Sequence, residues 1–217
     1  MFTGLIQQTG KLTAREINGD SLRIIINTRK WDPPLTERER GESISVNGVC
    51  LTAERITDKG FACDVLKETI NFSNLGSKQI GAVLNLERAI RAGEPLGGHF
   101  IAGHVEGLGT LIRRKSLGRD WMLEFSCDIP LLRQIVPKGS IACDGISLTI
   151  SSLTDASFSV NIIPFTWQNT NLNKIREGET VNLETDLIGK YVFRRLEQDH
   201  AGKPITVDLL RRAGFME

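Results

Sequence analysis

The sequence has no apolar stretch of about 18 residues, so it offers no membrane-spanning helix and no signal-peptide core. An excess of one charge is also missing. Lysine and arginine total 27 against 26 acidic residues, for a net charge of +1 and no basic run. That balance argues against a nucleic acid or a membrane surface as the partner. Cysteine is scarce: Cys50, Cys63, Cys127 and Cys143 show no C-x-x-C spacing and are expected to be reduced thiols in a cytoplasmic protein. Glycine-rich nucleotide loops are absent, as is a Ser-His-Asp order with its nucleophile elbow.

What the chain does have is a phrase written twice. "SISVNGVCLTA" (43–53) returns as "SIACDGISLTI" (140–150), 97 positions later. The same offset takes Asn47 to Asp144, Thr69 to Thr166, Leu75 to Leu172, Asn85 to Asn182 and Glu87 to Glu184. Upstream the offset is 99, pairing Gly4 with Gly103, Gly10 with Gly109 and Leu12 with Leu111. A two-residue length difference therefore falls between Leu12 and Gly41. This reads as a duplicated domain, with copies over 1–97 and 98–187 and a tail over 188–217. The repeat opens almost at Met1, so no leader is expected. Units of this size bury only a modest core, which favours packing against neighbours.

Within each copy, short β-rich runs alternate with turn signals, as in an all-β barrel or sandwich. Strands are expected at 21–28, 43–56, 61–66 and 82–90, and again at 121–126, 140–153, 158–163 and 180–186. Asn47-Gly48 and Asp144-Gly145 are two-residue hairpin turns. One helical turn is expected before the last strand of each copy. In the tail, Ile188, Tyr191, Val192, Arg195 and Leu196 recur at helical spacing. A lone helix of that length is marginal, so its stripe must bury, with a subunit interface the preferred use. A second short helix is expected over 205–215.

Cys50 taken alone reads as a small buried hydrophobe, as most free cysteines are. Its counterpart Ser147 changes the reading, because a core position would sooner exchange cysteine for valine or alanine. A polar group in both copies points to a wet pocket, beside Thr52 in one and Thr149 in the other. "GGHFIAGHVEG" (97–107) holds two of the three histidines, His99 and His104. Without nearby carboxylate or thiol partners they make a poor zinc site. The run reads either as a glycine-rich turn with a capping histidine or as a titratable donor beside a ligand. His104 corresponds to Leu5, so the fold itself does not require a histidine there. For Lys67, Glu68 and Lys138 the plain alternative is a solvated surface charge.

"MFTG" at the N-terminus, "VNGVCLT", "LKETINFSNLG", "GGHFIAGHV" and "DGISLTI", in that order, resemble the riboflavin synthase family over both repeats. The resemblance implies an all-β fold of two tandem homologous six-stranded Greek-key barrels plus a C-terminal α-helix that gathers a homotrimer. It implies a transferase of vitamin B2 biosynthesis that needs no cofactor and no metal. Two molecules of 6,7-dimethyl-8-ribityllumazine would react together, giving riboflavin and 5-amino-6-ribitylaminouracil. An association with lumazine synthase is implied as well.

Carried over by position, the first ligand set is Cys50, Leu51 and Thr52 with a strand of Asp64, Val65, Leu66, Lys67, Glu68 and Thr69. Gly103, His104 and Val105 complete it. The second set is Ser147, Leu148 and Thr149 with a strand of Asn161, Ile162, Ile163, Pro164, Phe165 and Thr166. Gly4, Leu5 and Ile6 complete that one. The resemblance makes Cys50 the nucleophile or polariser, with Ser43 and His104 supporting proton transfer. Ser147 and Thr149 hold the second ring, Asp186 anchors its surroundings, and Lys138 reaches a neighbouring chain's ligand. Ala102, Phe165 and Cys143 depart from the family's usual residues. Non-catalytic lumazine-binding or flavin-binding antenna proteins share the double barrel and are the rival. Flavin-reductase barrels want a tyrosine-containing motif, whereas the one tyrosine here is Tyr191, in the tail.

Overall fold

The computed structural model describes residues 1–29, 31, 34–36 and 40–200. Met1–Asp186 form one compact unit, and the described residues from Leu187 onward fall outside it. The first copy runs β1 (Gln8–Asn18), β2 (Ser21–Thr28), β3 (Ser43–Val46), β4 (Val49–Thr52), β5 (Arg55–Thr57), β6 (Gly60–Val65), α1 (Lys67–Phe72) and β7 (Val83–Arg88). The second runs β8 (Gly107–Leu117), β9 (Asp120–Ser126), α2 (Ile129–Leu132), β10 (Ser140–Cys143), β11 (Ile146–Leu153), β12 (Phe158–Ile162), α3 (Pro164–Asn169) and β13 (Thr180–Thr185). α4 (Leu187–His200) follows.

The second copy closes into a six-stranded antiparallel barrel in the order β10-β11-β12-β9-β8-β13. The first takes the same path with seven strands, β4-β3-β7-β1-β2-β6-β5. Its two edges, β4 and β5, are consecutive in the chain and together match the single strand β11. At the break, Ala53 N–H donates to Glu42 O and Glu54 N–H to Ala62 O, both at 2.9 Å. One residue therefore pairs to each side, and the wall continues around the corner.

Alternation builds each interior. Along β2, Leu22, Ile24 and Ile26 point inward among Ile44, Val46, Phe61, Leu84 and Leu86. Leu123, Phe125, Ile141, Ile150, Val160 and Leu183 fill the second barrel. The hairpins form at Asn47-Gly48 (φ 48° and 81°) and Asp144-Gly145 (φ 45° and 79°), where left-handed backbone is needed at both positions. The two turns meet: a Cβ on Gly48 would lie 2.7 Å from the Gly145 nitrogen.

A buried amide network joins the barrels around that meeting point. Asn74 N–H donates to Asn182 Oδ1 at 2.6 Å, and its equivalent Asn171 N–H donates to Asn85 Oδ1 at 2.7 Å. Asn85 Nδ2 in turn reaches the Asp144 carbonyl, and Asn182 Nδ2 the Asn47 carbonyl. Side-chain amides can satisfy backbone groups of the opposite barrel only at a fixed separation, so the network sets the pairing of the two copies.

Two corrections to the sequence reading follow. The stretches 64–69 and 161–166 are not continuous strands; β6 ends at Val65 and β12 at Ile162, and helices begin at Lys67 and Pro164. Proline has no N–H for a ladder but suits a helix's first turn. The opening strands β1 and β8 also escaped the pattern. Each buries little beyond one glycine and one leucine, Gly10 with Leu12 and Gly109 with Leu111, while the other large apolar residues, Ile17, Leu108, Ile112 and Leu117, are exposed among polar and charged ones. The segment over 205–215 lies outside the described residues. No helix among the described residues is long and apolar enough to cross a membrane.

Candidate active site

Two buried carboxylates, at equivalent places in β7 and β13, shape the site. Glu87 accepts from Thr3 N–H and Thr3 Oγ1–H, both at 2.7 Å, and from Gly4 N–H at 3.0 Å. Glu184 accepts from the N–H groups of Ala102, Gly103 and His104 at 2.7, 2.9 and 3.1 Å. Burial pushes the Glu87 carboxyl up, and its three donors pull it back. Ala102 has no hydroxyl, so the Thr3 Oγ1 bond has no equivalent in the second copy.

Each clamped turn then leans on the other copy. The Cys50 N–H donates to the Gly103 carbonyl and the Ser147 N–H to the Gly4 carbonyl, both at 2.9 Å. Only glycine fits: φ is +82° and +80°, and an added Cβ would lie 2.6 Å from Cys50 Cβ or 2.5 Å from Ser147 Cβ. Phe2 and Ile101, fully buried and bonded to one another, fill the space between with Ala142.

Cys50 opens onto a cavity of about 270 Å³ lined by Val49, Cys50, Glu68, Thr69, Phe72, Ser73, Gly103, His104 and Val105. Alternation explains why: Val49 and Leu51 pack into the barrel, so Cys50 faces out. The neighbours in the predicted set divide. Leu51 and Val65 belong to the core, while Thr52 and Leu66 are exposed. Asp64 is held by Arg23 at 2.7 and 2.8 Å, which draws its carboxyl below the usual range. Lys67 lies 3.2 Å from Asp20 at the surface. Glu68 and Thr69 reach the cavity on α1. Phe72 and Ser73 were missed because the strand reading stopped at Thr69; the helical spacings i+3 and i+4 would have supplied them. Ser43 stands opposite Thr52, two pairs along from Ser45 and Cys50, and does not line the cavity.

The second seat has the same frame and other chemistry. Ser147 replaces Cys50, Leu148 packs into the core, and Thr149 is exposed. Ile6 packs on that core, while Leu5, at the place of His104, is 52% exposed. Ile162 is buried and Asn161 exposed. Ile163 and Phe165 are 58% and 71% exposed on either side of Pro164. Thr166 offers its carbonyl to Thr170 Oγ1. Sequence reasoning left His99 open, and here its Nδ1 lies 2.7 Å from Ser147 Oγ. Asp186 is half-buried, and its charge acts on His99. Lys138 is exposed, with φ 64°. All four cysteines are free thiols.

Twin barrels with crossed, clamped turns and outward polar seats define a class: the lumazine binding domain family matches residues 3–89 and again 102–186. The chain is 38% identical over 218 residues to riboflavin synthase of Actinobacillus pleuropneumoniae, covering 99% of this chain and all of that one. It is 41% identical over 199 residues to riboflavin synthase of Mycobacterium bovis, covering 89% and 97%. It belongs to the riboflavin synthase family. Among solved structures it is similar to LumP complexed with riboflavin, with a TM-score of 0.78 and 26% identity over 85% of this chain and 99% of that one.

Proposed function

We propose that this chain is a riboflavin synthase. It transfers a four-carbon unit between two molecules of 6,7-dimethyl-8-ribityllumazine, releasing riboflavin and 5-amino-6-ribitylaminouracil. The crossed pair of bonds, Cys50 to Gly103 and Ser147 to Gly4, carries the reading. It makes two equivalent seats with unequal chemistry, as a dismutation of like molecules requires. The reaction draws no electrons from outside, so it calls for no redox cofactor. Holding two rings face to face supplies much of the rate by proximity and orientation.

In the first seat, Cys50 acts beside the ring as nucleophile or polariser, and His104 and Glu68 border the same cavity to move protons. Ser43 supports them from the adjoining strand. Ser147 and Thr149 hold the second ring, and Asp186 anchors its surroundings. The two rings meet between the first barrel of one chain and the second barrel of the next, within a homotrimer. The large exposed apolar groups beside both seats support a covering partner: Leu66 and Phe72 at the first, Leu5, Ile163 and Phe165 at the second. So does the exposed stripe of Ile188, Tyr191, Val192 and Leu196 along α4. Lys138 then reaches the neighbour's ligand. The working domains are 1–97 and 98–187 with an assembly tail over 188–217, in a cytoplasmic enzyme able to associate with lumazine synthase.

A cofactor-free incubation with 6,7-dimethyl-8-ribityllumazine tests the reading. Catalytic formation of riboflavin, with one pyrimidinedione per riboflavin, is expected. Likeness to LumP favours a second reading, a non-catalytic binder, which predicts tight binding of the same compound without turnover.

A further inference from the structure

His99 is a buried titratable side chain that this mechanism leaves unused. It sits on the segment joining the copies, between β7 and β8. Its backbone is fixed: His99 N–H donates to Thr3 O at 3.1 Å, and Phe2 and Ile101 exchange bonds two residues on. Gly98, just before it, has no room for a side chain, since a Cβ would lie 2.0 Å from Thr3 O and 3.0 Å from Ser147 Oγ. The ring is therefore delivered to Ser147 in one pose, 8% exposed, with Nδ1 2.7 Å from Oγ. Its Nε2 is buried with no partner among the described residues. No histidine ring is bonded to Cys50 among the described residues, so this contact belongs to one seat only.

The orphan nitrogen decides where the proton lies. Were it on Nε2, a buried N–H would stand without an acceptor. On Nδ1 it is used, and Nε2 is left as a bare acceptor, the milder deficit. Burial also disfavours the imidazolium, against the opposing pull of Asp186.

We infer that His99 is a positioning residue of the second seat: as the neutral Nδ1–H tautomer it donates to Ser147 Oγ, which aims the serine hydrogen at an acceptor atom of the ligand. A hydroxyl that already accepts one hydrogen bond is the better donor. The second seat thus selects a planar heterocycle presenting a carbonyl oxygen or bare ring nitrogen at Ser147. A cysteine S–H is a weak donor, so the first seat must grip the same ring through other atoms. The inference rests on the proposed function only for what the ligand is.

Two measurements on the full-length protein test it. Imidazole ¹⁵N resonances of the ligand-free protein, with His99 identified by its loss in His99→Asn, should show Nδ1 protonated and Nε2 bare at neutral pH. An Nε2–H tautomer or an imidazolium there overturns the inference. Calorimetric titration with riboflavin then compares wild type, His99→Ala, His99→Asn, Ser147→Ala and the His99→Ala/Ser147→Ala double variant. Each alanine variant should weaken one class of site about tenfold, the double variant no further than Ser147→Ala. His99→Asn, whose amide N–H stands where Nδ1–H stood, should keep most of the affinity. Additive losses, or equal losses with alanine and asparagine, overturn it. His99→Gln, with its amide at the Nε2 position, replaces alanine in the cycle if that variant does not fold. A wild type that binds no riboflavin sinks the proposed function instead, and the tautomer measurement still decides the His99–Ser147 bond.

Discussion

The amide of Cys50 donates to the carbonyl of Gly103 at 2.9 Å, tying the strand that bears the thiol to the opening turn of the other copy. Duplicated barrels could sit side by side without sharing anything. These two exchange their opening turns, so neither seat is complete within one copy. The exchange leaves Cys50 beside His104 and Ser147 beside Leu5, and this is how equal frames come to hold unequal chemistry.

The crossing has little tolerance. Gly103→Ala must hold a side chain at φ +82° and push its Cβ to 2.6 Å from Cys50 Cβ. We expect a loss of about 2–4 kcal/mol in urea unfolding, from backbone strain plus overpacking. Gly118→Ala is the control. Its φ is +71° but nothing lies within 4 Å, so strain alone remains, at about 1 kcal/mol.

The amide network predicts strong coupling between the barrels. Asn85→Ala strips the acceptor from Asn171 N–H and the donor from the Asp144 carbonyl, both buried. A cost of about 2–4 kcal/mol is expected, with Asn182→Ala matching it from the other side. Unfolding monitored separately by Trp31 in the first copy and by Trp121 and Trp167 in the second should remain one transition in the wild type.

The thiol should matter to chemistry more than to binding. Cys50→Ala should bind 6,7-dimethyl-8-ribityllumazine about as tightly as wild type while kcat falls about 10²-fold, the usual scale for a polar group acting on the reacting ring. Full turnover with normal binding would remove Cys50 from the mechanism.

His99 gives the stability a pH dependence of known sign. Burial lowers its folded pKa below the ordinary 6.5, so the unfolded chain binds the proton more readily. The contribution is present above that ordinary value and is lost as pH falls below it. His99→Asn should therefore flatten the decline of the unfolding midpoint between neutral and mildly acidic pH. A slope that does not change would contradict the buried neutral ring.

Much of this was legible in the sequence, and the rest failed for definite reasons. The repeat offset paired Cys50 with Ser147, and Gly4 with Gly103, because barrels built alike keep glycine where the backbone must turn left-handed. The hairpins announced themselves as Asn-Gly and Asp-Gly for the same cause. Strands β1 and β8 did not, because few of their residues are buried and two-residue alternation needs a buried side. Phe72 and Ser73 were lost when the first half of α1, Lys67 to Thr69, was taken for strand, a confusion that a short helix of mixed polarity invites. The Ser147 contact of His99 depends on where a linker between copies returns, which no local pattern encodes.

The central claim is that the two unlike seats act together, each supplied by a different chain. Subunit exchange tests it most directly. Cys50→Ala/His104→Ala disables the first seat, and Ser147→Ala/Thr149→Ala disables the second. Each variant alone should form almost no riboflavin. After mixing, partial unfolding and reassembly, sites pairing an intact first barrel with an intact second barrel from the next chain should appear, and riboflavin formation should return. If wild-type protein survives the same treatment while the mixture stays inactive, both seats work within a single chain and the account is wrong.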